Sequence, residues 1–305
     1  MKINAMPNKM FSGWLRVKLP AEHLAKQGLD VLVTDTEHSS ADLVWYQEFK
    51  DPKTFDPKKK YVLEFDDIMD YTGVAAPPYF YENIEKADYV IVGNEYMVNR
   101  YKQYNKNMVA ITDYIDPCTR KAVNKKKDDG ILRVGWMGSE MYSSEAEQFR
   151  NVFQNIHDKY PFVRFYLIGF GRNLVNDYIQ HVPYVRYEHF NDVFASLGID
   201  IGMTYLSYRE ISMAKTQLKV AEYAWLGIPS IASKTIYGDT KFAKKGHCLI
   251  ADEIEDYEEK LDSLIDDVDK AMTLGVNAEN FAKENYDLHT HLGEWRKVFD
   301  KVKKS

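Results

Sequence analysis

Short runs rich in β-branched and aromatic residues alternate along this chain with longer segments of mixed polar and apolar residues, and that alternation admits few folds. Strand, helix, strand in succession favours parallel pairing with the helices as crossovers. Strands are expected near 31–34, 43–45, 61–65, 89–92 and 108–111. A second set is expected near 132–136, 164–168, 185–187, 199–203, 230–232 and 248–250. Between the sets, 117–130 carries Pro, Lys and Asp without apolar periodicity, which marks a boundary. The 305 residues suffice for two medium domains with their own cores. The reading is an α/β chain of two parallel-sheet domains, 1–118 and 130–284, with a cleft between them.

The richest chemistry lies late in the chain. Lys215, Lys219 and Glu222 are read as opening and lining one helix that runs into Gly227-Ile228-Pro229. At about 100° per residue, positions i, i+4 and i+7 fall within roughly 60° of arc. Two ammonium groups and a carboxylate are therefore expected on one face, with Leu218, Val220, Ala221, Ala224 and Trp225 opposite. The run 199–206 before it reads as a buried strand, and 228–232 as the next strand after a glycine C-cap. A helix start just beyond a strand end, with free N–H groups and cations, suits a diphosphate, and an acid further along suits a ribose diol. The same spacing also fits a plain solvated face, whose pairs are worth a few tenths of a kcal/mol.

Resemblance adds to this reading. Lys215-Thr216-x-x-Lys219-x-x-Glu222-Tyr223-x-x-x-Gly227-Ile228-Pro229-x-x-Ala232-Ser233 resembles the donor-site signature of retaining GT-B glycosyltransferases of family 4. Arg133-Val134-Gly135-Trp136-Met137-Gly138-Ser139 and Tyr166-Leu167-Ile168-Gly169-Phe170-Gly171 resemble the first two strand-and-turn units of that family's C-terminal Rossmann-like domain. Gly13-x-x-Arg16-x-x-x-Pro20-Ala21-x-x-Leu24-x-x-x-Gly28 resembles the N-terminal glycine loop and helix. The stretches 61–67 and 87–92 are similar to later strands of the N-terminal domain. The resemblance implies a GT-B fold of two Rossmann-like domains, with the C-terminal helix at 285–305 packing back on the first. It implies a soluble enzyme moving a sugar from a UDP- or GDP-linked donor to an acceptor hydroxyl, with retention, no metal and no tightly bound cofactor. By the same token Lys215 and Arg16 are the catalytic candidates. Lys219, Glu222, Gly13, Gly138, Ser139, Thr216 and Gly169 are donor-binding candidates, with Asp66 and Asp67 on the acceptor side. Many family members carry a second Glu eight positions before the ribose-binding one; here Ala214 stands there, and the adjacent Lys215 favours a phosphate role.

Composition excludes several classes. Hydrophobic residues make up 45% and charged residues 28%, as in an ordinary globular protein, and no run of about 18 apolar residues occurs. The stretch 1–7 lacks the apolar centre of a signal peptide, so a cytoplasmic location is expected. Cys118 and Cys248 lack His or Cys neighbours at metal-ligand spacing, so no disulfide or zinc site is expected. A net charge of −6 argues against wholesale nucleic-acid coating, although basic residues cluster in 50–60 and 120–127.

Rival constellations stay open. Asp66-Asp67-Ile68-Met69-Asp70 offers oxygen ligands for Mg²⁺ or Mn²⁺, or simply an acidic first helical turn. His289 and His291 alternate, which on a helix points them apart as a surface pair. His23, His38, His157 and His189 show no partner at ligand spacing. Tyrosines beside basic residues, as in Arg100-Tyr101-Lys102-Gln103-Tyr104, leave modified DNA open as an acceptor beside a glycan, lipid-linked precursor or small molecule. An inactive nucleotide-sugar-binding module on the same fold is the third reading.

Overall fold

The computed structural model describes residues 1–120 and 127–304, and of residues 187, 188 and 191 the backbone alone. Up to Asp116 the chain forms β1 (Ile3–Met6), a π-helical stretch (Gly13–Lys18) running into α1 (Leu19–Lys26), β2 (Val31–Val33), β3 (Leu43–Tyr46) and β4 (Lys60–Phe65). There follow α2 (Phe80–Lys86), β5 (Tyr89–Val92), α3 (Glu95–Tyr101) and β6 (Met108–Ala110). Next come β7 (Leu132–Met137), α4 (Ser143–Gln148), α5 (Arg150–Lys159), β8 (Val163–Ile168), β9 (Ile179–Val182), α6 (Tyr187–Leu197) and β10 (Ile201–Thr204). Then α7 (Leu218–Trp225), β11 (Ser230–Ser233), α8 (Lys234–Tyr237), α9 (Lys241–Lys244) and β12 (Leu249–Ala251) lead to α10 (Asp256–Ile265), α11 (Val268–Asn285), α12 (Leu288–His291) and α13 (Gly293–Lys304).

Two compact units result. The first comprises Met1–Asp116, Arg209–Thr216 and Leu288–Ser305; the second comprises Pro117–Tyr208 and Gln217–Asp287. The expected boundary segment overlaps 121–126, which lie outside the described residues. Each unit holds one six-stranded sheet in which every neighbouring pair is parallel. No helix among the described residues is long and apolar enough to cross a membrane.

In the first unit the strand order is β2-β1-β3-β4-β5-β6. The continuous apolar runs of β3 and β5 are buried along their whole length, as strands covered on both faces must be. β1 is a strand the sequence pattern does not announce, because a polar residue interrupts it. Asn4 is fully buried there, and its amide donates to Thr34 Oγ1 at 2.6 Å while its oxygen accepts from the His38 amide at 2.7 Å. Satisfied on both sides, Asn4 is tolerated inside a central strand. The tail belongs to the same unit. Trp295, Val298, Phe299 and Val302 recur at helical spacing on α13 and are all buried, with Trp295 and Phe299 ring centres 6.4 and 5.3 Å from that of Trp45 on β3. Each such burial contributes about 1.5–3 kcal/mol.

In the second unit the order is β12-β11-β10-β7-β8-β9. The strand expected at 185–187 is not formed. The sheet edge is instead β9, paired with β8 from Phe165↔Ile179 to Ile168↔Val182, and residue 187 opens α6. Pro183 follows β9 directly and has no N–H to continue the ladder.

Asp70 anchors the β4–α2 connection. Its carboxylate accepts from Tyr81 Oη at 2.8 Å, from Arg100 Nε at 3.2 Å and from the Tyr101 hydroxyl. Burial would raise its pKa, but these hydrogen bonds and the guanidinium outweigh that and hold it below the ordinary value. A depressed carboxylate stabilises the fold above its unfolded pKa and loses that contribution as pH falls through the folded one. Asp70→Asn should therefore lower the free energy of unfolding by about 2–3 kcal/mol at neutral pH. In urea titrations the gap from wild type should stay constant down to about pH 4 and shrink below it. A gap that persisted unchanged at pH 2 would refute the role of the charge.

Candidate active site

The second unit has the doubly wound strand order in which a chain moves outward from its first strand, β7, to β8 and β9, then returns to β7's other side as β10. In such sheets ligands bind outside the carboxyl ends of the strands, at the point where the order reverses. Here that point lies between β7 and β10.

Two glycines shape the carboxyl ends of β7 and β8. The Gly138 amide donates to the Ile168 carbonyl at 2.9 Å, and a Cβ on Gly138 would lie 2.8 Å from the Tyr142 ring and 3.2 Å from that of Phe170. Gly169 has φ +89°, and a Cβ there would lie 2.3 Å from the Gly138 carbonyl oxygen. The two turns thus pack backbone on backbone, which only glycine permits. Ser139 follows in extended conformation and precedes the short 3-10 turn Glu140–Tyr142. The Lys219 ammonium sits 4.7 Å from the centre of the Tyr142 ring, a cation–π contact that brings a positive charge beside the Gly138 turn.

Glu222 is not on a solvated face. It is 5% exposed and accepts from Arg120 Nη2 at 2.8 Å, while the Arg120 guanidinium lies 4.9 Å from the Phe190 ring centre and the Arg120 carbonyl accepts from Trp225 Nε1 at 3.1 Å. Tyr223 ties α7 to the sheet: its hydroxyl lies 2.9 and 3.0 Å from the Gly135 and Met203 carbonyls and 3.2 Å from the Met137 amide. Burial pushes its pKa far above the usual value, so it stays protonated as a donor. Glu145, 1% exposed, accepts from Ser207 Oγ at 3.1 Å and Ser144 Oγ at 3.2 Å, linking the segment after β7 to that after β10. Sequence reasoning missed Arg120, Tyr142 and Glu145. Arg120 was visible only as the first of a basic run, and no local signal distinguishes Glu145 from an ordinary helical acid.

Lys215 departs from its expected place. α7 begins at Leu218, and Lys215 has φ −70° and ψ 145°, an extended residue after the 3-10 turn Glu210–Ala214. It therefore does not share a helical face with Lys219 and Glu222. Local ties hold it in the first unit: Asn94 Nδ2 donates to the Met213 carbonyl at 2.8 Å, and Glu210 pairs with Arg100 at 2.6 Å. The Lys215 ammonium pairs with Asp67, and the Thr216 hydroxyl donates to Asp113.

Arg16, the other catalytic candidate, is 2% exposed. It donates to Asp113 at 2.8 Å and the Ile111 carbonyl at 2.8 Å, and pairs with Glu64 at 3.0 Å; Glu64 also accepts from Trp45 Nε1 at 2.7 Å. Glu64, Asp66, Asp67 and Asp113 thus gather around Arg16 and Lys215. Burial, with repulsion from Asp67 and Asp113, pushes Asp66 up against the pull of Arg16 and Lys215. Gly13 starts the π-helical stretch, and a Cβ there would lie 2.1 Å from the Asn8 carbonyl oxygen. Asp66, Asp67 and Asp70 do not converge: Asp70 faces Tyr81, Tyr101 and Arg100, and no metal-ligand group among the described residues includes any of the three. His291 is no plain surface residue either, since it stacks on Tyr114 with ring centres 4.0 Å apart.

No family profile matches the sequence, and no curated protein sequence matches it. Solved structures do. A glycosyltransferase from Rickettsia africae ESF-5 aligns with a TM-score of 0.68 at 11% identity, over 100% of this chain and 99% of that one. Sucrose-phosphate synthase from Thermosynechococcus elongatus aligns with a TM-score of 0.65 at 12% identity, over 99% of this chain and 100% of that one. A mutant of S. aureus TarM, solved with fondaparinux, alpha-GlcNAc-glycerol and UDP, aligns with a TM-score of 0.64 at 16% identity over 92% of this chain. The chain spans only 58% of TarM, less than two thirds of its length. With a parallel Rossmann-like sheet in each of two units and a likeness running from end to end, the protein has the GT-B fold.

Proposed function

We propose that the protein transfers a sugar from a nucleotide-sugar donor to an acceptor hydroxyl, and that the second unit holds the donor. The observation that carries this reading is the packing of Gly169 on Gly138 at the carboxyl ends of β7 and β8, with the Lys219 ammonium over the Tyr142 ring that lies against Gly138, beside the point where the strand order reverses. A fixed cation at the carboxyl ends of the strands is what a diphosphate needs. Lys219 neutralises the departing diphosphate, Ser139 adds a hydroxyl, and Glu222, three residues along α7, accepts from the ribose. The similarity of the Lys215 to Ser233 signature to retaining enzymes supports retention. Charge stabilisation by lysine supports transfer without a divalent ion. UDP is the first nucleotide to try, because TarM, pneumococcal GtfA and Anabaena HepE were each solved with it.

A thermal-shift screen of UDP- and GDP-sugars, followed by calorimetry on the best, tests this. One nucleotide sugar should stabilise the protein, and Lys219→Ala should weaken its binding about tenfold, or about 1.4 kcal/mol. Wild-type affinity in that variant, or no response to any nucleotide sugar, would sink the assignment. Release of the nucleoside diphosphate with anomer analysis of the product then separates an enzyme from a binding module.

A further inference from the structure

His23 on α1, Asp116 just beyond β6 and His289 on α12 come from three distant stretches of sequence and meet within the first unit. His23 Nε2 lies 3.1 Å from Asp116 Oδ1, and His289 Nε2 lies 3.7 Å from the same oxygen. The ligand atoms of all three lie within 4.8 Å of one another. The two imidazole rings meet edge to face, with centres 4.4 Å apart and an interplanar angle of 69°.

We propose that His23, Asp116 and His289 form a binding site for a divalent transition-metal ion, zinc by the chemistry of its donors. Two imidazole nitrogens and one carboxylate oxygen make a borderline-soft set that suits zinc, whereas calcium and magnesium prefer oxygen alone. In a tetrahedron with metal–ligand bonds of about 2.0–2.1 Å, neighbouring donors stand about 3.3 Å apart. The His23–Asp116 separation already matches that edge, and the His289–Asp116 separation exceeds it by a few tenths of an ångström. The side chains of His23 and Asp116 are 7% and 1% exposed, while that of His289 is 38% exposed and borders solvent. A separation of 3.7 Å is too long for a hydrogen bond to that oxygen. The edge-to-face rings approach from different directions, as tetrahedral ligation requires. Asp116 supplies one of the two negative charges needed to balance the ion. The Leu288 amide, which donates to the Ile115 carbonyl at 2.9 Å, fixes the entry of α12 next to Asp116, so a bound ion would staple the returning C-terminal segment to α1 and the strand-end segment. The site is independent of the donor-binding reading, and its failure would leave that reading untouched.

The test uses the untagged full chain, stripped with a chelator, dialysed and titrated with Zn²⁺ against a competing zinc indicator. One equivalent should bind with a Kd of about 1 µM or below. Zn²⁺ should also raise the thermal unfolding midpoint. His289→Ala, chosen because its partly exposed side chain leaves a variant that folds, should weaken that binding more than about a hundredfold and abolish the thermal shift. His23→Gln should do the same. Absence of binding to the wild type, or binding and thermal shift in His289→Ala equal to wild type, would overturn the site.

Discussion

Replacing Glu222 with alanine should destabilise the second unit by about 3 kcal/mol in urea denaturation. The Arg120 and Glu222 side chains are 2% and 5% exposed and 2.8 Å apart, so removing the carboxylate takes the opposite charge from a guanidinium that stays buried. Breaking a buried pair of this kind costs about 3–5 kcal/mol, and the lower end applies because Arg120 still lies over the Phe190 ring. An Arg120→Met/Glu222→Leu double variant should recover most of the loss, since both members of the buried pair are then replaced by apolar side chains. Equal losses in the single and double variants would show that packing, not charge, carries the effect. The same residue serves the functional test differently. Glu222→Gln keeps the shape and a hydrogen-bond acceptor, so a folded variant with weakened nucleotide-sugar binding would support the ribose role. Unchanged calorimetric affinity would reject it.

Gly169→Ala should be comparably severe, at about 3 kcal/mol, for two separable reasons. The backbone at φ +89° disfavours any Cβ, and this Cβ would lie 2.3 Å from the Gly138 carbonyl oxygen, a backbone atom that cannot swing aside. Gly246 provides the control within the same unit: it has φ +71°, and a Cβ there meets nothing within 4 Å. Gly246→Ala should therefore show the conformational penalty alone, about 1–2 kcal/mol. The difference between the two variants, read in the same urea titration, measures how tightly the β7 and β8 turns are pressed together. If the two losses were equal, the backbone contact would not matter. Because the clash would displace the Gly138 turn, Gly169→Ala should also weaken nucleotide-sugar binding in whatever folded fraction survives, whereas Gly246→Ala should leave it intact.

Much of the architecture is legible in the sequence, and for a physical reason. Parallel strands buried on both faces are favoured by apolar residues over their length, so 43–45 and 89–92 declare themselves by composition. Where burial is achieved differently the pattern is silent. β1 hides behind Asn4, whose buried amide is satisfied by Thr34 and His38, and the short run at 185–187 reads as a strand although Pro183 has already ended the sheet edge. Glycine turns were legible as well, because Gly138 and Gly169 follow strand ends directly; that they press on each other was not.

The charged residues divide in the same way. Helical spacing placed Lys219 and Glu222 three residues apart on one helix, and they are so placed. It also placed Lys215 with them, but the helix starts later, and Lys215 pairs with Asp67 across 148 residues of sequence. Arg120 reaches Glu222 across 102 residues, Arg16 reaches Asp113 across 97, and His23 reaches Asp116 across 93. Periodicity and local composition act over one or two turns of chain, so the sequence by itself determined the alternating elements, their parallel pairing and the turns that glycine allows. Which charges meet, and how dry their surroundings are, depends on distances in three dimensions that no local period encodes. Only the tertiary structure decided those.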